Sequence, residues 1–561
     1  MTRTTLVAIL ITTLFTNCVS TKPATAPPTK NEMLDLKITN GRVLDGSGSP
    51  WFRADIGIRG DVIVAIGDLA DVEAKETIDA QNRIVSPGFI DLLSWAQYNA
   101  IIDPHLEAHV RQGITTAIAG EGHSPGPLRA DQLAGEEQWT RLGDYLDQLD
   151  RQGAAINFAL LVGSANPRQM IIGDINRPAT VEELRQMEAI VDQAMRDGAI
   201  GLSTSLVYVP AMYQSTEELI SLARVAAKHG GMYFSHIRSE GDQIDAALDE
   251  AFRIGRDGGL PVNIWHLKIG PRVNWGKMPG IVAKIAAERD KGLDVSANVY
   301  PYAASGTALS TLAPDWAMEG GFDDFQLRLK VPEDRARIME AFRTQVARRG
   351  EKGIYISQVF HEPHKQYEKK YLEEIARAMN ATPEEALVTL FSHGTLSPRV
   401  IYFLMNEDDV RHALKQPWIS VGTDADSPSA SARAAGTAVH PRAYGTFARV
   451  LGRYSRDEKL FPLEEAIRKI TSQAALRAHI FDRGLLRPGL KADVVIFDPA
   501  AVRDLSTFED PHHYSEGIST VVVNGVAVMR DGVMTGATPG RSIRGRGYAG
   551  AMNERRTQNA E

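Results

Sequence analysis

Cysteine is almost missing from this chain. Cys18 is the only one in 561 residues, which excludes a disulfide within the chain and a thiolate metal cluster. Blocks of Lys and Arg are missing too, as is any interleaving of basic and aromatic residues. With 62 basic against 70 acidic residues the net charge is −8, and nucleic acid is not an expected partner. Long apolar runs are equally scarce. Residues 6–15 form a short one, well below the ~20 residues needed to span a bilayer.

That short run has informative surroundings. Met1-Thr2-Arg3 places one positive charge before it, and Cys18 falls where a signal sequence is cleaved. Residues 1–18 resemble a bacterial lipoprotein signal peptide, in which the Cys is lipidated and becomes the new N-terminus. An ordinary secretory signal with an incidental Cys accounts for the same residues, and Asn17 is larger than the usual Gly or Ala. Either reading predicts export, to the periplasm or to an outer-membrane anchor, with membrane contact only through the lipid. Residues 19–33, rich in Thr, Pro and Ala, then read as a flexible linker.

Residues 34–86 read as strands and turns, with Asn40-Gly41 as one hairpin signal and Gly60-Asp61 within a second hairpin. The far end repeats the style in 492–498 and 521–528, the latter around Asn524-Gly525. The reading is one small β-sandwich domain, 34–86 plus 484–545, built from both termini, with residues 87–483 inserted into it. That middle alternates strands with helices. Helices are expected at 180–198 and 216–230, opening at Thr180 and Thr216 with a Glu three residues on where the N-cap sits at Thr180. Strands are expected at 114–119, 156–162, 201–205, 232–236, 262–266, 294–299, 354–358 and 418–423. Eight such units predict an α/β fold with a (β/α)8 barrel.

Three of these strands end alike. Apolar residues run directly into His236, into His266 with Lys268 two residues on, and into Asp424. Period-two geometry points His266 and Lys268 the same way, and a barrel delivers its catalytic cluster from strand ends at one rim.

Pro87-Gly88-Phe89-Ile90-Asp91 opens a longer series of motifs. It continues through Gly113-Ile114-Thr115-Thr116, Gly201-Leu202-Ser203-Thr204, Tyr208-Val209-Pro210 and His236-Ile237-Arg238-Ser239-Glu240-Gly241. Then come His266-Leu267-Lys268, Tyr300-Pro301-Tyr302, His440-Pro441-Arg442 and Asp482-Arg483-Gly484. In this order the chain resembles the amidohydrolase superfamily, on the branch of the N-acyl-D-amino-acid deacylases. The resemblance implies a metal-dependent hydrolase acting on small N-acyl amino acids, with a dipeptide or cyclic amide, or a non-catalytic binding role, as alternatives. One departure is plain. Relatives continue Pro-Gly-Phe-Ile-Asp with a His-X-His metal pair, whereas this chain has Leu92-Leu93-Ser94-Trp95, a variant that cannot build that half of the site.

For the other metal position, Glu121 in Gly120-Glu121-Gly122-His123 stands where such deacylases commonly have a cysteine. Glu121, His236 and His266 form the expected ligand set, with His123 as a reserve ligand or proton donor. Two imidazoles and a carboxylate suit zinc or iron(II), and the resemblance selects one Zn2+ per chain. Asp424 is the expected general base. By resemblance Lys268, Tyr300 and Arg442 receive the substrate carboxylate, which a bidentate Arg and a Lys point charge suit, and Ser305 or Thr307 adds a hydroxyl. Arg238 and Glu240 read as a structural ion pair. Side-chain preference and oligomeric state stay open.

Overall fold

The computed structural model describes residues 33–130, 139–436, 438–548 and 550; the signal-like segment 1–18 and most of the linker lie outside these residues. Eight parallel strands among the described residues close a barrel. They are β1 (Phe89–Ser94), β2 (Ile114–Ala119), β3 (Asn157–Leu160, continued by Val162–Gly163), β4 (Gly201–Ser205), β5 (Met232–His236), β6 (Val262–Ile264), β7 (Val295–Val299) and β8 (Ile419–Val421). A parallel bridge from Ser94 to Ala425 joins β8 back to β1.

Both faces of these strands are covered, so they read as near-continuous buried runs rather than alternating ones. Inside the barrel Ile90, Leu92, Ile118, Leu161, Phe234 and Trp265 fill the lumen, the last two rings 5.3 Å apart. Outside, Leu202, Tyr233 and Ile264 pack beneath helices that contribute Leu219, Leu222 and Leu248. Two helices, Val181–Asp197 and Thr216–Lys228, open with reciprocal caps. Thr180 accepts from the Glu183 amide while Glu183 accepts from the Thr180 amide; Ser215, one residue before the expected Thr216, does the same with Glu218.

The expected strand at 354–358 is not part of the barrel. Ile354–Gln358 pairs antiparallel with Arg399–Tyr402, which pairs with Ser305–Ala308, in a separate four-stranded sheet. This sheet belongs to an excursion between β7 and β8 with its own core of Phe325, Phe342, Leu387 and Phe391. The eighth barrel position is taken by β1, whose Asp91 and Ser94 made it look less like a strand. Two helices, Phe322–Arg328 and Pro332–Arg349, separate β7 from Ile354–Gln358, more than a single βα unit needs.

Strands from both chain ends share one nine-stranded sheet. Ile84–Pro87 lies between Leu34–Val43 and Val494–Phe497, and the sheet encloses Leu36, Ile56, Val85, Val494 and Val522. Asn524-Gly525 is the expected hairpin turn. Asn40-Gly41 is not a turn: Leu34–Val43 runs on through it, with a register shift and Asn40 at φ 58°. It is a bulge, for which the same left-handed tolerance is required. Pro539 and Ser542 bridge to Ala154 and Phe158, laying the end of the chain along β3.

The excursion core rests on Phe391, fully buried, with the rings of Phe325 and Phe342 5.2 and 5.4 Å away. Phe391→Ala is expected to cost about 3–5 kcal/mol of unfolding free energy. Chemical denaturation would check this, with metal content unchanged because the ligand set lies on other strands.

Candidate metal centre

Each chemistry-bearing side chain sits at or just past the C-terminal end of a barrel strand. Glu121 follows β2, His236 ends β5, His266 follows β6 and Asp424 follows β8. Glu121 is brought inward by its neighbours. Gly120 is at φ 97°, and a Cβ there would lie 2.5 Å from the Leu161 carbonyl oxygen; Gly122 is at φ 64°, and a Cβ there would lie 2.3 Å from Ser205 Cβ. Only glycine fits both places. His266 and Asp424 themselves hold positive φ, 35° and 50°, a conformation costly to residues with a Cβ and typical of functional positions.

Three ligand atoms converge. Glu121 Oε1 is 2.7 Å from His236 Nδ1 and 3.2 Å from His266 Nε2, and the two nitrogens are 3.0 Å apart. All three residues are buried. Two imidazole nitrogens cannot face each other and a shared carboxylate at such distances unless a proton or a cation lies among them. Zinc with ligands at ~2.0–2.1 Å in tetrahedral geometry sets ligand atoms about 3.3 Å apart. The trio's separations of 2.7, 3.0 and 3.2 Å lie just inside that spacing, so these residues fit a divalent ion after a small outward shift. Among the described residues no other group of His, Cys, Asp or Glu side chains converges this closely, and His123 is not among the converging ligands.

Electrostatics follow from burial beside charge. Burial works to raise the Glu121 carboxyl, but hydrogen bonds and charge from His236 and His266 hold it well below the carboxylate range. Burial and the Lys268 ammonium oppose a charge on His266, yet Glu240, Asp424 and Glu121 prevail and lift it to about 9. Positive charge is therefore favoured at the centre of the trio.

The expected Arg238–Glu240 pair does not form. Arg238 donates twice to Glu250 and to the carbonyls of Met212 and Gln214, so it braces a loop. Glu240 instead pairs with the Lys268 ammonium and lies 3.0 Å from His266 Nδ1. Lys268 Nζ is also 2.8 Å from His266 Nδ1, so it is engaged behind the ligand histidine.

Arg442 lies across from this group. Its Nη2 donates to the Gly306 carbonyl, its guanidinium stacks 4.6 Å from the Tyr300 ring, and Nη1 is 2.8 Å from Asp424 Oδ2. Nε and Nη1 of Arg442 and the Tyr300 hydroxyl are buried with no hydrogen-bond partner. Orphaned buried donors are expensive unless a ligand meets them. Thr307 meets the Tyr208 hydroxyl at 2.5 Å, and the Tyr208 ring edges His236 at 5.5 Å. Ser305, buried at the start of the same strand, is not hydrogen-bonded to Lys268, Arg442 or Asp424. Tyr208 was given no role from the sequence, although it follows a barrel strand as the other site residues do. His440 was also missed. It accepts from the Arg442 amide at Nδ1 and contacts the Ala304 carbonyl through Nε2, and burial beside Arg442 holds its pKa well below the usual value.

A model of the amidohydrolase family matches residues 76–529. The chain belongs to the amidohydrolase family. It is 35% identical to the D-aminoacylase of Alcaligenes xylosoxydans xylosoxydans over 91% of this chain and 98% of that one. A D-aminoacylase structure described by one-metal activation and second-metal attenuation superposes with a TM-score of 0.78, at 35% identity over 91% of this chain and all of that chain. The N-acyl-D-glutamate deacylase of Bordetella bronchiseptica, complexed with zinc and a phosphonate mimic of the tetrahedral intermediate, does so with the same TM-score at 33% identity and the same coverage.

Within this amidohydrolase the Leu92-Leu93-Ser94-Trp95 departure has a structural outcome. Leu93 is fully buried in the lumen with Ile118, Phe234 and Trp265, and Trp95 donates its indole N–H to Asp424 Oδ1 at 3.2 Å. His266→Ala is expected to abolish stoichiometric metal binding, since only two donors remain. Metal analysis of the purified variant checks this, and a full complement of metal would refute the ligand set.

Proposed function

We propose that this amidohydrolase cleaves the amide bond of N-acyl-D-amino acids, releasing a carboxylate and a D-amino acid, with one zinc ion per chain. The observation that carries the reading is a pair of features: a buried three-ligand set, and buried donors on Arg442 and Tyr300 that lack an aligned hydrogen bond. The relatives named above support the substrate class.

Glu121, His236 and His266 would hold the ion, which when bound supplies Lewis acidity, drawing charge from a carbonyl and lowering the pKa of water from 15.7 to about 7. The remaining work belongs to the chain. Asp424 accepts the proton of the attacking water and returns it to the departing nitrogen, because an amide anion is a very poor leaving group. Arg442 Nε and Nη1, with the Tyr300 hydroxyl, receive the substrate's α-carboxylate, a planar acceptor that suits a guanidinium fork. Glu240 accepts from the far nitrogen of His266, as a carboxylate behind a metal-ligating histidine does, and Lys268 pairs with Glu240. Ser305 and Thr307 flank Gly306, whose carbonyl accepts from Arg442, and Thr307 meets Tyr208.

One metal rather than two follows from Leu93 and Trp95, which offer no ligand where an imidazole pair is needed. Export through the signal-like segment 1–18, to the periplasm or to an outer-membrane anchor, is part of the same proposal and is supported by that segment alone.

A panel of N-acyl-D- and N-acyl-L-amino acids and dipeptides tests the reading. Turnover confined to acyl-D-amino acids is expected, and turnover of dipeptides without them would overturn it. Asp424→Asn is expected to lower kcat roughly 10²–10⁴-fold with metal content intact. Unchanged turnover would remove Asp424 from its role.

A further inference from the structure

Asp424 is gripped at both carboxylate oxygens, and the two grips differ. On Oδ2 the Arg442 Nη1 lies 2.8 Å away but makes no aligned hydrogen bond, and the same nitrogen counts among the buried donors without an acceptor. On Oδ1 the Trp95 indole N–H makes a hydrogen bond of 3.2 Å. Trp95 is set in place by the backbone on either side. Its amide donates to the Ala425 carbonyl, the Asp424 amide donates to the Leu93 carbonyl, and Ser94 and Ala425 form the bridge that closes the barrel. The indole and the carboxylate are thus fixed by the same three backbone contacts.

We infer that Trp95 is a positioning residue for Asp424: its indole N–H ties down Oδ1 and leaves Oδ2 as the oxygen that takes and returns the proton. This rests on the deacylase reading for the identity of the reaction, though not for the contact itself. The logic is one of competition. A substrate carboxylate is a better acceptor for Arg442 than the misaligned Oδ2, so binding draws the guanidinium away and frees that oxygen. An indole is a neutral donor with a single N–H, a weaker draw on the substrate carboxylate than the Arg442 guanidinium. Oδ1 therefore stays held through the cycle, and the carboxylate cannot swing about its Cβ–Cγ bond without losing that bond.

Two measurements test this. The indole ¹⁵N–¹H resonance of Trp95, recognised by its loss in Trp95→Phe, is expected to move clearly in Asp424→Ala. An unmoved resonance would show that the contact does not exist and would overturn the inference whatever the reaction is. In steady-state kinetics Trp95→Phe, which keeps the ring and removes the donor, is expected to lower kcat roughly ten- to hundredfold, as for a lost hydrogen bond to a charged group. KM and zinc content should be little changed, and Trp95→Gln should recover part of kcat through its amide N–H. A change in KM alone, loss of zinc, or no gain from the glutamine overturns the positioning role. Absence of acyl-D-amino-acid turnover in the wild type would sink the deacylase reading instead, while the resonance still decides the contact.

Discussion

Two imidazoles and a carboxylate buried within 3.2 Å of one another need a positive charge among them. Burial disfavours ionised groups, and lone pairs at this spacing repel. A positive centre among them resolves both problems, and the surroundings are arranged to favour one. Glu240 and Asp424 add negative charge near His266, while Lys268 stays on its far side. The barrel supplies the rigidity that brings such groups together from separate strands. Leu92, Phe234 and Trp265 fill the lumen below, so no collapse can relieve the crowding above.

The second half of the site is closed without a ligand. Leu93 adds apolar packing that extends the lumen core upward. Trp95 turns the other position into a hydrogen bond. The Asp424 carboxylate keeps a neighbour on each oxygen, the Trp95 indole on Oδ1 and Arg442 Nη1 on Oδ2.

Much of the site could be read from the chain because barrel strands are apolar on both faces. A His or Asp directly after such a run stands out, as His236, His266 and Asp424 do. Glu121 was legible through the resemblance, standing where such deacylases commonly have a cysteine. What failed to show was partnership. Arg238 and Glu240 are neighbours in sequence, yet a loop carbonyl pair and Glu250 claim the arginine, and Lys268 claims the glutamate. That choice depends on where helices and loops return, which no local pattern encodes. The barrel's first strand was hidden for the opposite reason: Asp91 and Ser94 are polar although fully buried, satisfied by Thr423 and His109. Ile354–Gln358 carries a strand's composition without saying which sheet it joins.

The excursion between β7 and β8 leaves and re-enters at strands that pair directly, Val299 against Val421. Barrel closure is therefore indifferent to its size and fold. Its first strand nonetheless touches the pocket, through the Gly306 carbonyl on Arg442 and the Thr307 hydroxyl on Tyr208. A graft of this kind lets the wall beside Arg442 and Tyr208 vary while the strands that carry the ligand set stay in place.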